Sequence, residues 1–125
     1  MAFGMGSAQV ERTLGPPIAK TKNFLGQPKL IYPNVNVEFE GDRLVEMTFS
    51  SYCHLSLGAD LIANSADGKD MLLRKSANNF TGNGSIVLMD IGVAISDDRE
   101  EIFPLTVFAR GRMDPLVQSG SLQAM

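Results

Sequence analysis

Cys53 and His54 are the only cysteine and the only histidine of the chain. A Cys–His nucleophilic pair needs both side chains within hydrogen-bond reach and facing one pocket. Adjacent residues of an extended segment point to opposite sides, so this pair is badly placed to act together. A small thiol packed at the start of a linker is the reading that fits its position. The acidic run Asp97-Asp98-Arg99-Glu100-Glu101 could offer carboxylates to a metal or a proton. It straddles a hairpin turn, where charge faces solvent, and no D-x-D-x-D-G loop or histidine ligand accompanies it. Gly82-Asn83-Gly84-Ser85 is glycine-rich, but it precedes a strand, whereas a phosphate loop leads into a helix N-terminus. It reads as a turn. No cofactor, metal or catalytic set is expected, and the chain reads as non-enzymatic.

The elements that would position any site read as written twice. A shift of 56 positions lays Asn23-Phe24-x-Gly26 on Asn79-Phe80-x-Gly82, and Val37, Asp42 and Arg43 on Val93, Asp98 and Arg99. In both copies the apolar parity switches. Leu30 and Tyr32 are even and Val35, Val37 and Phe39 odd; Ile86 and Leu88 are even and Ile91, Val93 and Ile95 odd. A turn or bulge must therefore sit at Pro33-Asn34 and at Met89-Asp90. Gly41-Asp42 and Asp97-Asp98 are the next, equivalent turns. Val45, Met47 and Phe49 line the returning strand of the first copy, and Ile102, Leu105 and Val107 that of the second. Pro104 marks the latter as an edge or a bulge. Phe24 and Phe80 read as equivalent anchors that pin a loop on the sheet.

Two helical regions complete the pattern. Residues 3–17 place Val10 and Leu14 on one face of a short helix, with Gly6 or Ser7 as N-cap and Phe3 or Met5 as a staple. Gly15 supplies the left-handed terminal residue and Pro16-Pro17 stop the helix. The second region lies within 52–78, where Leu57, Leu61 and Ile62 are helically spaced and Asp70–Lys75 resume the run.

Gly4-Met5, then Val10, then Leu14-Gly15-Pro16-Pro17 resembles the opening of the BamE/SmpA-like family, over about the first 50 residues. That family's module is a small helix–loop–sheet unit of outer-membrane assembly lipoproteins, and it occurs in tandem in the β-lactamase inhibitor protein. The resemblance implies a loop and antiparallel sheet after the helix, and a protein-binding role. Gly6 stands where the family carries a capping Ser or Thr, and no lipidation cysteine is present.

The expected fold is α+β: two helix–loop–β-meander half-units, residues 1–52 and 53–112, forming one antiparallel sheet of about six strands. The helices are expected on one face and residues 113–125 as a flexible tail. The other face would carry Asn36, Glu38, Glu46 and Thr48 from the first copy and Gly92, Ala94 and Phe103 from the second. The second copy is the less polar, so Ala94, Ile102, Phe103, Leu105 and Phe108 form the candidate surface for a protein partner or a homodimer.

With 44% hydrophobic and 20% charged residues the composition is that of an ordinary globular domain. A net charge of -3 without a basic run excludes electrostatically driven nucleic-acid binding. No stretch is apolar enough to span a bilayer, and Met1–Ser7 lacks the features of a signal peptide, so a cytoplasmic protein is expected. The functional expectation is an adaptor, inhibitor or immunity-type interaction module. A ligand-binding protein or enzyme with its site between the half-units is the alternative.

Overall fold

The computed structural model describes residues 2–23, 25–50, 55–57, 60–62, 70, 72–98, 101 and 104–125, and for 55–57 and 60–62 the backbone alone. Chain order runs through helix α1 (Ser7–Leu14) and strands β1 (Ala19–Lys22), β2 (Pro28–Ile31), β3 (Val35–Glu40) and β4 (Arg43–Phe49). A small hairpin follows, β5 (Leu55–Leu57) with β6 (Asp60–Ile62), then a helical turn α2 at residues 70 and 72–74. Strands β7 (Asn79–Gly82), β8 (Ser85–Leu88), β9 (Val93–Ser96) and β10 (Leu105–Phe108) come next. Helix α3 (Asp114–Gln118) and strand β11 (Gln123–Ala124) complete the chain. Leu57, Leu61 and Ile62, expected in a helix, are therefore in strands; three residues spaced four and one apart fit a hairpin as well as a helix turn.

Nine strands form one antiparallel sheet in the order β1-β2-β3-β4-β10-β9-β8-β7-β11. The order is palindromic about the β4–β10 pair, apart from β11. Both parity switches are tight hairpins: Tyr32 donates to the Val35 carbonyl at 2.9 Å, and Gly92 to that of Leu88 at 3.0 Å. The turn at residues 83–84 joins β7 to β8 with φ of 53° at Asn83 and 74° at Gly84, the left-handed pair that a two-residue hairpin of this hand requires.

The register assigns the faces. Val37, Met47, Val107 and Val93 stand side by side across β3, β4, β10 and β9, and their neighbours Asn36, Thr48, Thr106 and Ala94 do so on the opposite face. The first face buries two apolar clusters. Val10 of α1 sits on Leu30, Tyr32, Val37, Phe39 and Leu44. Leu72 of α2 sits on Leu88, Val93, Ile95 and Leu105. On the opposite face Val87, Ala94 and Phe108 bury Leu122, with Leu116 and Val117 of α3 packed around them. The expectation of helices on one face is corrected: α1 and α2 cover one side and α3 the other.

Residues 113–125 are likewise not a free tail. Leu122 is 3% exposed, and β11 pairs with β7. Met113, Leu116 and Val117 have helical spacing, but over a single short turn with Leu122 five residues beyond it, too brief a pattern to announce the packing.

A β-bulge sets the first half. Glu38 pairs with Glu46 but Phe39 pairs with Leu44, leaving Val45 as the extra residue. The bulge turns Leu44 into the core in place of Val45, and it returns Glu46 to the outer face beside Glu38. At the N-terminus of α1, Asp42 caps from the β3–β4 turn, accepting from the Ser7 N–H at 3.0 Å and the Ser7 hydroxyl at 2.9 Å. A Cβ on Gly6 would lie 2.8 Å from Asp42 Oδ2. Glycine stands at the cap because a side chain from another element occupies the capping position. Met5 is the apolar residue that packs on the α1 cluster; Phe3 and Leu14 are 40% and 38% exposed.

Candidate functional site

The outer face of the first half carries a polar cluster rather than a greasy surface. Glu38 and Glu46 face each other across β3 and β4, where like charges are unfavourable. A proton resolves the conflict. Burial first, then the hydrogen bond to Glu38 and its charge, raise Glu46 to about 7 against the opposing Arg112. Burial also works against the charge of Glu38, but hydrogen bonds with Glu46 and Asn23, with Lys29 and Arg112 nearby, hold its pKa below the ordinary value. Below about pH 7 Glu46 is protonated, and its carboxyl is then the donor that the Glu38 carboxylate needs.

Arg112 reaches this pair from the far half of the sheet. Its Nε donates to Glu46 Oε1 at 3.3 Å, its Nη1 to Gln27 Oε1 at 2.9 Å, and Nη1 lies 3.6 Å from Glu40 Oε2. Asn23 closes the ring, donating to Glu38 Oε1 at 2.8 Å and to Gln27 Oε1 at 3.2 Å. The Arg112 side chain is 10% exposed, so this is a clamp between halves.

Beside the clamp, at the end of β4 and β10, opens a cleft of about 360 Å³ lined by Phe3, Glu40, Arg43, Arg110, Gly111 and Arg112. Arg110 and Gly111 form the middle of a turn closed by Arg112 N–H on the Ala109 carbonyl at 3.1 Å, with Gly111 at φ 84°. The edge strand β1 is a third feature. All four of its residues are exposed, and among the described residues it pairs with β2 alone. Ile18, which precedes the strand, and Leu25, in the turn after it, are 69% and 63% exposed.

Of the surface expected from sequence, Ala94, Leu105 and Phe108 are buried within their own chain, and Ile102 and Phe103 lie outside the described residues. Strand β10 is not an edge: it pairs with β4 on one side and β9 on the other. Pro104 precedes the strand, where its missing N–H costs the ladder nothing. The C-terminal segment supplies the cover that Phe108 needs. Cys53, His54 and Phe24 lie outside the described residues, and Phe80 packs on the Phe108 cluster. Asp97 and Asp98 are exposed, and no metal-holding group of His, Cys, Asp or Glu occurs among the described residues. Glu38 and Glu46 were legible as outer-face residues; Arg112, which no nearby residue links to them, was not.

No protein-family model matches the chain, and neither a curated protein nor a solved structure is significantly similar to it. Among the described residues no helix is long and apolar enough to cross a membrane.

Proposed function

We propose that the protein is a non-enzymatic interaction module that takes up an extended, acidic segment of a partner protein along β1. The carrying observation is the open edge of this strand, four exposed residues with exposed Ile18 before them and exposed Leu25 in the turn that follows. A strand laid there completes the backbone hydrogen bonding of the sheet, and apolar side chains of the segment cover the two flanking residues. Lys22, with Lys20 beside it in an ion pair with Glu11 at 3.0 Å, sets the charge. Two copies pairing through this edge would bring four lysines together, which disfavours the homodimer and favours carboxylates on the incoming strand. The BamE/SmpA-like resemblance of residues 4–17 points to the same class of role. The palindromic strand order supports a sheet made of two similar half-units, of which the first offers its edge and the second does not.

Selection of peptides from a random library against the whole protein tests the reading. Selected peptides should be extended and acidic, should slow amide exchange across residues 19–22, and should bind Lys22→Glu at least tenfold more weakly. Peptides that protect another surface, or a dimer in sedimentation that buries β1, would displace it.

The second reading, a small-ligand site between the halves, is favoured by the arginine-lined cleft.

A further inference from the structure

The cleft at the end of the β4–β10 seam has an unbalanced charge. Arg43 and Arg110 are both exposed, and neither has an ion-pair partner among the described residues. Arg112, the third guanidinium on the wall, is held by Glu46 and Glu40. Glu40, the carboxylate lining this cleft, is thereby engaged. Among the described residues three guanidiniums therefore share one concavity with a single carboxylate, Glu40, which stands opposite Arg43 and 3.6 Å from Arg112, on a chain whose net charge is -3. General attraction of anions to the surface does not explain such an arrangement.

The position is built rather than incidental. Arg43 follows the turn in which Asp42 caps α1, and Arg110 is fixed by the hydrogen-bonded turn that also aims Arg112 into the carboxylate clamp. Gly111 adds no side chain, and Phe3, 40% exposed, forms an apolar wall. A volume near 360 Å³ fits a small metabolite. A guanidinium fork matches the paired oxygens of phosphate and carboxylate alike.

We propose that this cleft binds a small organic anion carrying at least two negative charges, a phosphate monoester or a di- or tricarboxylate, between Arg43 and Arg110. The site joins the two halves of the sheet, because Arg43 belongs to β4 and Arg110 to the turn after β10. It is independent of peptide capture along β1, and failure of either leaves the other standing.

Backbone amide chemical shifts of the whole protein, followed during titration with AMP, inorganic phosphate or citrate at constant ionic strength, test the proposal. Saturable shifts at Arg43, Arg110 and Gly111 are expected. A response to AMP and phosphate assigns the anion to the phosphate class, and a response to citrate alone to the carboxylate class. The double variant Arg43→Gln/Arg110→Gln, both positions exposed, should weaken binding at least tenfold. Shifts that grow linearly without saturation for all three probes would overturn the proposal. So would equal affinity in the double variant. If that variant fails to fold, the wild-type titration decides alone: saturable shifts confined to residues away from the cleft would overturn it equally.

Discussion

Glu38 and Glu46 stand directly opposite each other on β3 and β4, joined by a hydrogen bond, with Arg112 on the Glu46 side and Asn23 on the Glu38 side. The pair makes stability depend on pH in a direction that can be worked out. Glu46 is raised in the folded state to about 7, so its contribution is complete below the pKa of an unfolded glutamate and is lost as pH rises through 7. Glu38 is lowered, so its contribution is present above that unfolded pKa and is lost as pH falls through its folded value. Urea unfolding should therefore show stability falling from pH 5 to pH 8, by on the order of 2 kcal/mol. Glu46→Gln keeps a donor for Glu38 and should flatten that slope. An unchanged slope in the variant would assign the dependence elsewhere.

Gly15 ends α1 at φ 84°, and its N–H donates to the Glu11 carbonyl at 2.8 Å. A Cβ there would meet nothing within 4 Å, so Gly15→Ala carries the backbone cost alone. With ψ at -172° this is backbone space essentially reserved for glycine, so a thermal melt should show a loss on the order of 1–3 kcal/mol.

The C-terminal segment lies against Gly82. A Cβ at that position would collide with the carbonyl oxygen of Ser121. Gly82→Ala is expected to lift residues 119–124 from β7 and speed amide exchange at Leu122 and Met125, whose N–H groups donate to Leu116 and Asn79. Exchange in β2 and β3 should stay unchanged.

Leu122 and Phe108 share one buried cluster. Leu122→Ala should cost about 2–5 kcal/mol and Phe108→Ala about 3–5 kcal/mol in chemical unfolding of the dilute protein. An effect of Phe108→Ala that grows with protein concentration would return this residue to an interface.

The hairpins were legible because they rest on neighbours. The parity switches around residues 33–34 and 89–90 and the Asn83-Gly84 pair state their turns within a few positions. The stop of α1 at Gly15 is equally local. Three other features rest on distant partners. Val45 has the right parity for the core, yet the bulge opposite Glu38 expels it in favour of Leu44. Gly6 looks like a poor cap until Asp42 arrives from another element. Arg112 finds Glu46 across 66 positions of chain, and nothing adjacent to either residue announces the pairing. The same holds for β10, whose apolar residues read as an unprotected edge because its partners β4 and β9 had not been placed beside it.

The two borders of the sheet are unequal. β11 closes one with a strand of two residues, and β1 leaves the other open over four. Repeated addition of copies needs two adhesive borders on every molecule, one to receive and one to offer. Among the described residues of the nine-stranded sheet, β1 offers the longer open border, so a strand added there leaves only the two-residue β11 border for further growth, which favours a finite complex over a fibre. The short C-terminal strand thus offers a newcomer a border of two residues where β1 offers four.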